Sequence, residues 1–339
     1  MSFKRLTPSD FLVSADSITA PCWTNNVYDL NSFYSSSTQE ASSQGDYVLA
    51  VYQTSSTDIS AAIQYYVGYA NEAGSGSSPY NSNLPQYSPS STLYGQYRNL
   101  ILEDENANFT FGSVTQSQFF VISVERANYK QSLLPGSLNL KISGSDGIIQ
   151  LTDNSNDIST VPYINGTRVY QLVSGSDGTA YTGLQANGYT STSGSYGWLV
   201  PDMGTILLNS VALGLASSVG GVGLVVVSGS VTNGVNNTVV YDGIRLGGSF
   251  KLNSQENLTS DYVFVRPQNA EFNYTTNPSF ISGSTGEVLY SQFINNPQTY
   301  ITTVGLYNDA NELLAVAKLS RPLVKDFTKE ALIRVKLDF

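Results

Sequence analysis

The side chains that enzymes use most often for proton transfer and nucleophilic attack are scarce in this sequence. None of the 339 residues is histidine, and Cys22 is the single cysteine. Without an imidazole to accept the proton of a nucleophile, Ser-His-acid and Cys-His mechanisms are excluded. One cysteine also excludes an intrachain disulfide and a paired-cysteine metal cluster. The Gly-rich strings lack the strand–GxGxxG–helix setting of a dinucleotide site, no P-loop is present, and we interpret these strings as turns and linkers.

Two acidic strings remain as candidates for hydrolysis or for metal binding. Glu103-Asp104-Glu105 is the densest acidic cluster, but adjacent carboxylates point apart, whereas a glycosidase needs two that face each other across a sugar. Asp153-Asn154-Ser155-Asn156-Asp157 resembles a calcium loop but lacks its glycine at the sixth position and its late glutamate. We predict a solvated loop for the first string. For the whole chain we predict no catalytic residue, no cofactor and no metal, and therefore no enzyme.

The composition favours a packed protein built from strands. Charged residues make up 12% of the chain, about half the usual share. Hydrophobic residues make up 41%, and the 23 Tyr and 14 Phe suit a pleated, half-buried backbone. The length fits about two domains. A net charge of −10 with a pI near 4.4 argues against a nucleic-acid partner, because phosphate binding needs dense Lys and Arg.

One uncharged segment, 205–231, is long enough to cross a bilayer. Asn209, Ser210, Ser217 and Ser218 interrupt it, so we favour two buried strands, 205–212 and 222–231, over a membrane anchor. The N-terminal sequence MSFKRLTPSDF lacks the apolar run of a signal peptide. We therefore expect no membrane span and synthesis in a reducing cytoplasm.

Turn residues and alternation locate several other strands. Asp146-Gly147 predicts a tight hairpin turn, and the same string, SGSDG, returns at 174–178, which suggests consecutive hairpins of one sheet or a chance recurrence. Residues 300–307 and 313–319 flank a polar turn, and apolar and charged residues alternate from Ile333 to the end. NTVVYDGIRL, GSFKL, DYVFVRP and EFNYTT read as short strands. AAIQYYVGYA reads as a helix or a strand, and 72–94 as a loop broken by prolines.

These patterns predict a mainly β protein with two or more antiparallel β-sandwich-like domains and long Ser/Gly/Pro-rich loops. We expect an N-terminal arm at 1–20 and a β-rich domain at 21–203. An apolar Gly/Ser-rich strand or linker is expected at 204–231, followed by a C-terminal β-sandwich-like domain at 232–339.

Three regions carry a family resemblance. The first runs from Phe264 to the end and contains EFNYTTNPSF, FINNPQTYITTVGLYNDANELLAVAKLSRPL and KEALIRVKLDF; the others are SQFFVISVERANYKQSLLPGSLNLKIS and YGWLVPDMGTILLN. Together they cover under half of the chain and resemble structural proteins of contractile-tailed phages that infect cyanobacteria. The resemblance implies a virion protein of the tail or baseplate region, made in the host cytoplasm. It implies assembly without catalysis, with other virion structural proteins and further copies of the same chain as partners.

Two other functions remain open at this point. The alternative is a receptor-binding or host-surface adhesin module of a phage fibre, in which the Tyr-rich region 63–97 would contact a sugar or a protein. A cell-wall hydrolase is disfavoured by the missing chemistry described above.

The charge distribution suggests where assembly contacts would form. No basic residue lies between Arg5 and Arg98, so the first third of the chain is acidic. The candidate assembly interface is a group of basic residues near the C-terminus: Arg321, Lys325, Lys329, Arg334 and Lys336. Such a group could steer encounter with an acidic partner surface, including the first third of a neighbouring copy. The other interpretation is an ordinary solvated strand face, balanced by Asp326, Glu330 and Asp338.

Overall fold

A computed structural model describes residues 3–35, 48–72, 89–181, 196–227, 235–275 and 277–338. The structure is mainly β, with 44% strand and 18% helix, and its sheets are antiparallel and sandwich-like, which confirms the predicted fold class. The chain divides into two compact units. Unit 1 comprises Met1–Ser17 and Asn257–Phe339, and unit 2 comprises Ile18–Glu256.

The strands are, in chain order, β1 (Phe11–Pro21), β2 (Asp29–Leu30), β3 (Tyr34–Ser35), β4 (Val48–Tyr52), β5 (Ile63–Asn71), β6 (Phe109–Phe111), β7 (Val114–Gln116), β8 (Gln118–Val124), β9 (Ser132–Leu133), β10 (Asn139–Gly144), β11 (Gly147–Asp153), β12 (Tyr163–Ile164), β13 (Thr167–Arg168), β14 (Tyr170–Ser176), β15 (Thr179–Ala180), β16 (Gly197–Val200), β17 (Thr205–Leu208), β18 (Phe250–Lys251), β19 (Asn253–Val265), β20 (Thr299–Tyr307), β21 (Leu313–Lys325) and β22 (Ile333–Asp338). The α-helices are α1 (Pro89–Tyr97), which continues into a π-helical turn at Arg98–Leu102, α2 (Ser210–Gly214), α3 (Val235–Gly247) and α4 (Ser291–Asn295).

Unit 2 is built on a 12-stranded sheet in the order β2-β18-β10-β11-β14-β16-β17-β8-β5-β4-β3, with β15 paired to β14. The two end strands, β2 and β3, are separated in the chain by only three residues, 31–33. Leu30 and Tyr34 can therefore be at most about 14 Å apart. Eleven strands lying flat at their usual spacing would extend about 48 Å. The sheet must curl to bring its ends this close.

The central strands of this sheet are buried on both faces. Along β8, Phe120 and Ile122 belong to one apolar core, and Phe119 and Val121 belong to a second. Since successive side chains of a strand point to opposite faces, the two cores lie on opposite sides of the sheet. Helix α3 contributes to the first core, and α1 and the β6–β7 hairpin contribute to the second. The result is a layered unit with covered sheet faces.

Two expectations for the middle of the chain were wrong. The string NTVVYDGIRL, predicted to be a strand, lies in α3, where Val240, Tyr241 and Ile244 are buried at helical spacing. Residues 222–227 of the second predicted strand form no strand. There the N–H groups of Val222 and Leu224 both donate to the carbonyl of Leu213, and Gly223 has a φ of 71° that a regular strand does not use. Residues 228–231 lie outside the described part of the chain.

Both hairpins predicted in unit 2 are present, but the Asp-Gly turn is confirmed only in the second. In the first, Gly147 already belongs to the strand, the loop residues are Ser145 and Asp146, and Asp146 does not take a positive φ. Gly144 pairs with Gly147 across the β10–β11 hairpin, and Ser176 pairs with Thr179 across the β14–β15 hairpin. In the second turn both Asp177 and Gly178 have positive φ, as the Asp-Gly signature requires. Because β11 pairs with β14, the two hairpins are neighbours in one sheet. The ambiguous string AAIQYYVGYA forms β5 from Ile63 onward.

The division into units differs from the predicted domain boundaries. Residues 204–227 and 235–256 belong to unit 2, because β17 is an internal strand of the large sheet and α3 packs against β10. The predicted arm, 1–20, contains ten of the eleven residues of a strand, β1. The predicted loop 72–94 ends in helix α1, whose first residue is Pro89, a position where a missing N–H costs nothing; residues 73–88 lie outside the described part. Within the described residues no helix is both long enough and apolar enough to cross a membrane.

Unit 1 combines a sheet with a hairpin. The sheet has the order β1-β19-β22, and its fourth strand, β9, pairs with Ser254 and Gln255 in the part of β19 that belongs to unit 2. Strand β20 pairs with β21 in a separate two-stranded sheet. Val263 of β19, Val304 of β20 and Val335 of β22 form a small apolar core between them. The hairpin and the final strand were both predicted, while EFNYTT forms no strand in its described residues. Phe339 lies outside the described part.

The hairpin turn is held by the polar residues that predicted it. The N–H of Asn308 donates to the carbonyl of Glu312 at 3.1 Å. In return, the N–H of Glu312 donates to the side-chain oxygen of Asn308 at 2.8 Å. Asn311 takes a φ of 63°, which asparagine tolerates better than most residues.

Candidate functional site

Two of the five candidate basic residues lie together on the outer face of the unit 1 sheet. In the β19–β22 register Tyr262 is opposite Lys336 and Phe264 is opposite Arg334. The Arg334 guanidinium lies 5.4 Å and the Lys336 ammonium 6.0 Å from the centre of the Tyr262 ring. Contacts of this kind stabilise an exposed cation by about 0.5–1 kcal/mol. We call Tyr262, Arg334 and Lys336 the basic face.

Acidic groups border the basic face. The Lys336 ammonium pairs with Asp338 at 2.8 Å, and this contact raises the pKa of Lys336 and lowers that of Asp338. The carboxylate of Asp16, on β1, adds to the upward shift of the Lys336 pKa, so it lies within electrostatic reach. Arg334 forms no ion pair with any described residue.

Lys325 is placed differently from the expectation. It is 0% exposed, so it adds no positive charge to a surface. Its ammonium donates to the carbonyl of Asn269 at 3.1 Å and to the side-chain oxygen of Asn273 at 2.8 Å. Burial of a cation is costly unless hydrogen bonds compensate. Lys325 therefore acts as an internal clamp that joins β21 to the 269–273 segment.

The remaining two basic residues are exposed but separate from the basic face in their contacts. Lys329 pairs with Asp326 at 3.4 Å. The pKa of Asp326 is lowered mainly by hydrogen bonds from Thr328, so this carboxylate belongs to a local turn. Arg321 lies between Thr303/Lys318 and Ile301/Leu323, where the register of the β20–β21 pair shifts, and it is exposed.

Sequence reasoning missed a large exposed apolar surface on unit 1. On the β20–β21 hairpin Leu314 is 68% exposed and Val316 is 58% exposed. Tyr307 and Leu313 lie over Gly305 on the same hairpin and are also exposed. The signal was present in the sequence, because the string LLAVA has apolar residues at consecutive positions, which leaves apolar side chains on both faces of a strand.

The edges of the unit 1 sheet were missed as well. In the described part of the chain this sheet ends at β1 on one side and at β22 on the other. Phe11, Leu12 and Val13 of β1 are 50%, 54% and 66% exposed. Their exposure on a sheet edge is unusual, because such strands invite pairing with another chain.

Unit 2 contains a polar cleft of about 150 Å³ lined by Asp29, Asn139, Lys141, Gln150, Asp177 and Lys251 among others. Asn139 donates to Asp177 at 2.7 Å, and this bond is the main reason that the pKa of Asp177 is lowered. The N–H of Asp177 donates back to the side-chain oxygen of Asn139 at 3.0 Å. The volume of the cleft is well below the roughly 300–1,000 Å³ of typical small-molecule sites.

The groups with chemical potential in unit 2 have structural roles. Burial raises the pKa of the Cys22 thiol to about 12, which leaves it protonated and unreactive at neutral pH. Asp153, from the calcium-like string, is buried and accepts the N–H of Gly136 at 2.9 Å and that of Ser155 at 3.1 Å. Among the described residues no group of three or more acidic or cysteine side chains is arranged to hold a metal ion.

Three comparisons with known proteins found no match for this chain. No protein-family model, no curated protein and no solved structure matches it.

Proposed function

We propose that this chain is a structural component of a bacteriophage virion, in the tail or baseplate region, and that it acts through protein–protein assembly without catalysis. One observation carries the proposal: unit 1 exposes far more apolar side chains than it buries. Among its described residues the buried apolar side chains are Val263, Val304, Ala331 and Val335. Large exposed apolar patches on a folded protein mark surfaces that another molecule covers.

The exposed apolar side chains occur on most elements of unit 1. They include Phe3, Phe11, Leu12, Val13, Tyr274, Leu289, Tyr290, Ile294, Tyr300, Tyr307, Leu313, Leu314, Val316, Phe327 and Leu332. An isolated two-stranded hairpin is marginally stable in water, and β20–β21 is packed on one side only, through Val304 and its neighbours. A partner on the other side would stabilise it.

The chemistry of the chain supports assembly over catalysis. There is no imidazole in the sequence, and the thiol of Cys22 is buried and protonated. The longest region that resembles phage virion proteins, from Phe264 to the end, lies within unit 1. The longest of the three resembling regions thus lies in the unit with the uncovered surface, while the two shorter ones lie in unit 2.

The adhesin alternative has one feature in its favour, the polar cleft of unit 2. Exposed ammonium groups of Lys141 and Lys251 and the Asp177 carboxylate could hydrogen-bond a sugar. Its small volume supports contact with part of one sugar unit at most. We therefore rank adhesion below assembly.

Mass spectrometry of purified particles, combined with immunogold electron microscopy, tests the proposal. We expect the chain in the particle, with gold on the tail or baseplate and a copy number in multiples of six. Label confined to fibre tips would favour the adhesin, a count in multiples of five would favour the capsid or its vertex, and absence from particles would overturn the proposal.

A further inference from the structure

We propose that copies of this chain associate head to tail, by pairing β1 of one copy with β22 of the next, so that the unit 1 sheet continues from copy to copy. This deepens the proposed function by naming a partner, a second copy, and it rests on that function only for its biological setting. The pairing itself is a property of the isolated chain.

The edge of the unit 1 sheet at β1 lacks the features that usually protect an edge strand. Within unit 1 this strand covers residues 11–17, of which Phe11, Leu12 and Val13 are half exposed or more. Natural edge strands are usually protected by lysine, proline, a bulge or a covering segment. Residues 11–17 contain no lysine and no proline, and their one charged residue is Asp16. The edge is therefore unprotected among the described residues and presents backbone groups that another strand can pair with.

The opposite edge of the sheet, at β22, carries two exposed basic side chains. This six-residue strand pairs with β19 on one side and is the last strand of the sheet on the other. Its exposed residues Arg334 and Lys336 belong to the basic face. The edge at β1 thus carries apolar side chains and one acidic residue, Asp16, whereas on β22 two basic residues, Arg334 and Lys336, outnumber one acidic residue, Asp338.

The charges on the two strands favour pairing of unlike edges over pairing of like edges. Asp16 is the middle residue of the 11-residue strand β1, so an antiparallel β1–β1 pair in the register that pairs all eleven residues would place two carboxylates opposite each other, which is destabilising. A β1–β22 pair instead brings Asp16 of one copy to Arg334 of the next, and Arg334 has no carboxylate partner within its own described chain. Charge complementarity therefore selects the unlike pair.

A contact between unlike surfaces repeats at every copy. It generates a ring if the rotation between copies closes, and a helical filament if it does not. Either product suits a particle component that is present in many copies.

Sedimentation velocity of the purified full chain over a range of concentrations tests the inference. We expect the wild type to self-associate. The variants Asp16→Arg and Arg334→Glu should each raise the dissociation constant at least about tenfold, because each places like charges at the contact. An equimolar mixture of the two variants should associate again, because a contact between the two variants joins either the two substituted side chains or the two original ones, and both pairs have opposite charges.

Matched controls are Asp309→Arg and Lys318→Glu, which make the same charge changes at exposed positions away from both edges and should leave association at the wild-type level. Circular dichroism checks that each variant is folded. If Asp16→Arg does not fold, Asp16→Asn replaces it, and if Arg334→Glu does not fold, Arg334→Gln replaces it. A wild type that stays monomeric, or folded variants whose mixture stays dissociated, would overturn the edge pairing. The edge pairing would also be overturned if the Asp16→Arg variant dissociated while the Arg334→Glu variant associated as the wild type does. A monomeric chain that still enters particles would overturn the pairing and leave the proposed function standing.

Discussion

The large sheet of unit 2 buries side chains on both of its faces, whereas the sheet and hairpin of unit 1 bury the faces turned to each other and leave the others to solvent. In unit 2 an aromatic group of Tyr94, Phe109, Phe111, Phe119 and Trp198 fills the second core, with ring centres of Phe109 and Phe119 4.6 Å apart. In unit 1 three valines form the buried core. The difference shows that the apolar core of unit 2 is much larger than that of unit 1, and it is the reason for our proposal that a partner covers unit 1.

Buried polar groups follow the same division. Unit 2 buries polar side chains at the ends of strands, where they bind backbone groups of neighbouring loops, as Asp153 does with Gly136. Unit 1 buries the full ammonium group of Lys325 beside two oxygens of the 269–273 segment. A charge at the centre of a small unit is weak evidence for stability, because desolvation offsets much of what the hydrogen bonds contribute.

The largest expected effect comes from the aromatic core of unit 2. Phe109→Ala should lower the free energy of unfolding by about 3–5 kcal/mol, since it removes a fully buried ring and leaves a cavity. Urea denaturation followed by tryptophan fluorescence measures it, because the two tryptophans of the chain, Trp23 and Trp198, both lie in unit 2.

The matched control is the same substitution in unit 1, Phe280→Ala. Phe280 is exposed, although it contacts Tyr290 and Phe293, so the tryptophan transition should stay within about 0.5 kcal/mol of wild type. Equal losses from the two substitutions would remove the contrast between the units.

A smaller effect separates the turns of the two units. Gly178 in unit 2 and Gly286 in unit 1 both have positive φ, 77° and 72°. A Cβ at Gly178 would lie 2.8 Å from the Gly136 backbone and 2.7 Å from the Asn156 side chain, whereas at Gly286 the nearest atom is 3.8 Å away. Gly286→Ala should therefore cost about 1–2 kcal/mol from the left-handed backbone alone, and Gly178→Ala should cost more.

Hydrogen exchange of the segments flanking each glycine measures this difference. Gly248→Ala serves as a control within unit 2, because Gly248 has a φ of 72° and nothing within 4 Å of an added Cβ. If Gly178→Ala and Gly248→Ala lost equal protection, packing around the Gly178 turn would contribute nothing.

The parts of the fold that the sequence predicted are those decided by local chemistry. The hairpin at 144–147, the Asp-Gly turn at 177–178 and the alternation of β22, which places Arg334 and Lys336 on one face, depend on neighbours in the chain. Helix α3 was missed because Val239 and Val240 suggest a strand, whereas the buried positions 240, 241 and 244 follow the helical period.

The parts that the sequence could not supply depend on distant residues. The N-terminal region was predicted to be an arm because its partner, β19, lies more than two hundred residues further along the chain. The burial of Lys325 depends on Asn269 and Asn273, which are 56 and 52 residues away. A pattern read over a short window contains neither partner. The candidate assembly interface therefore included Lys325, which is buried in the structure.

The smallest expected effect concerns pH, and its sign differs between the units. In unit 1 the Lys4 ammonium donates to Glu271 at 2.8 Å and, with the N–H of Gln268, lowers the Glu271 pKa below 4.5. A carboxyl group whose pKa is lowered by folding stabilises the folded state at pH values above its pKa in the unfolded chain. This contribution is lost as the pH falls through its pKa in the folded state. In unit 2 burial raises the pKa of Asp153 above 3.8, so its contribution increases as the pH falls through the raised folded pKa toward the unfolded value.

Hydrogen exchange measured from about pH 6 to about pH 3.5, corrected for the intrinsic dependence of exchange on pH, should therefore show opposite trends. We expect protection at 268–271 in unit 1 to fall with acid and protection at 153–157 in unit 2 to hold or rise. Glu271→Gln should flatten the first trend and leave the second, because an amide does not titrate, and Asp153→Asn should flatten the second and leave the first. Parallel loss of protection at both segments, unchanged by either substitution, would show that neither the Glu271 nor the Asp153 carboxyl sets the response to acid and would contradict the prediction.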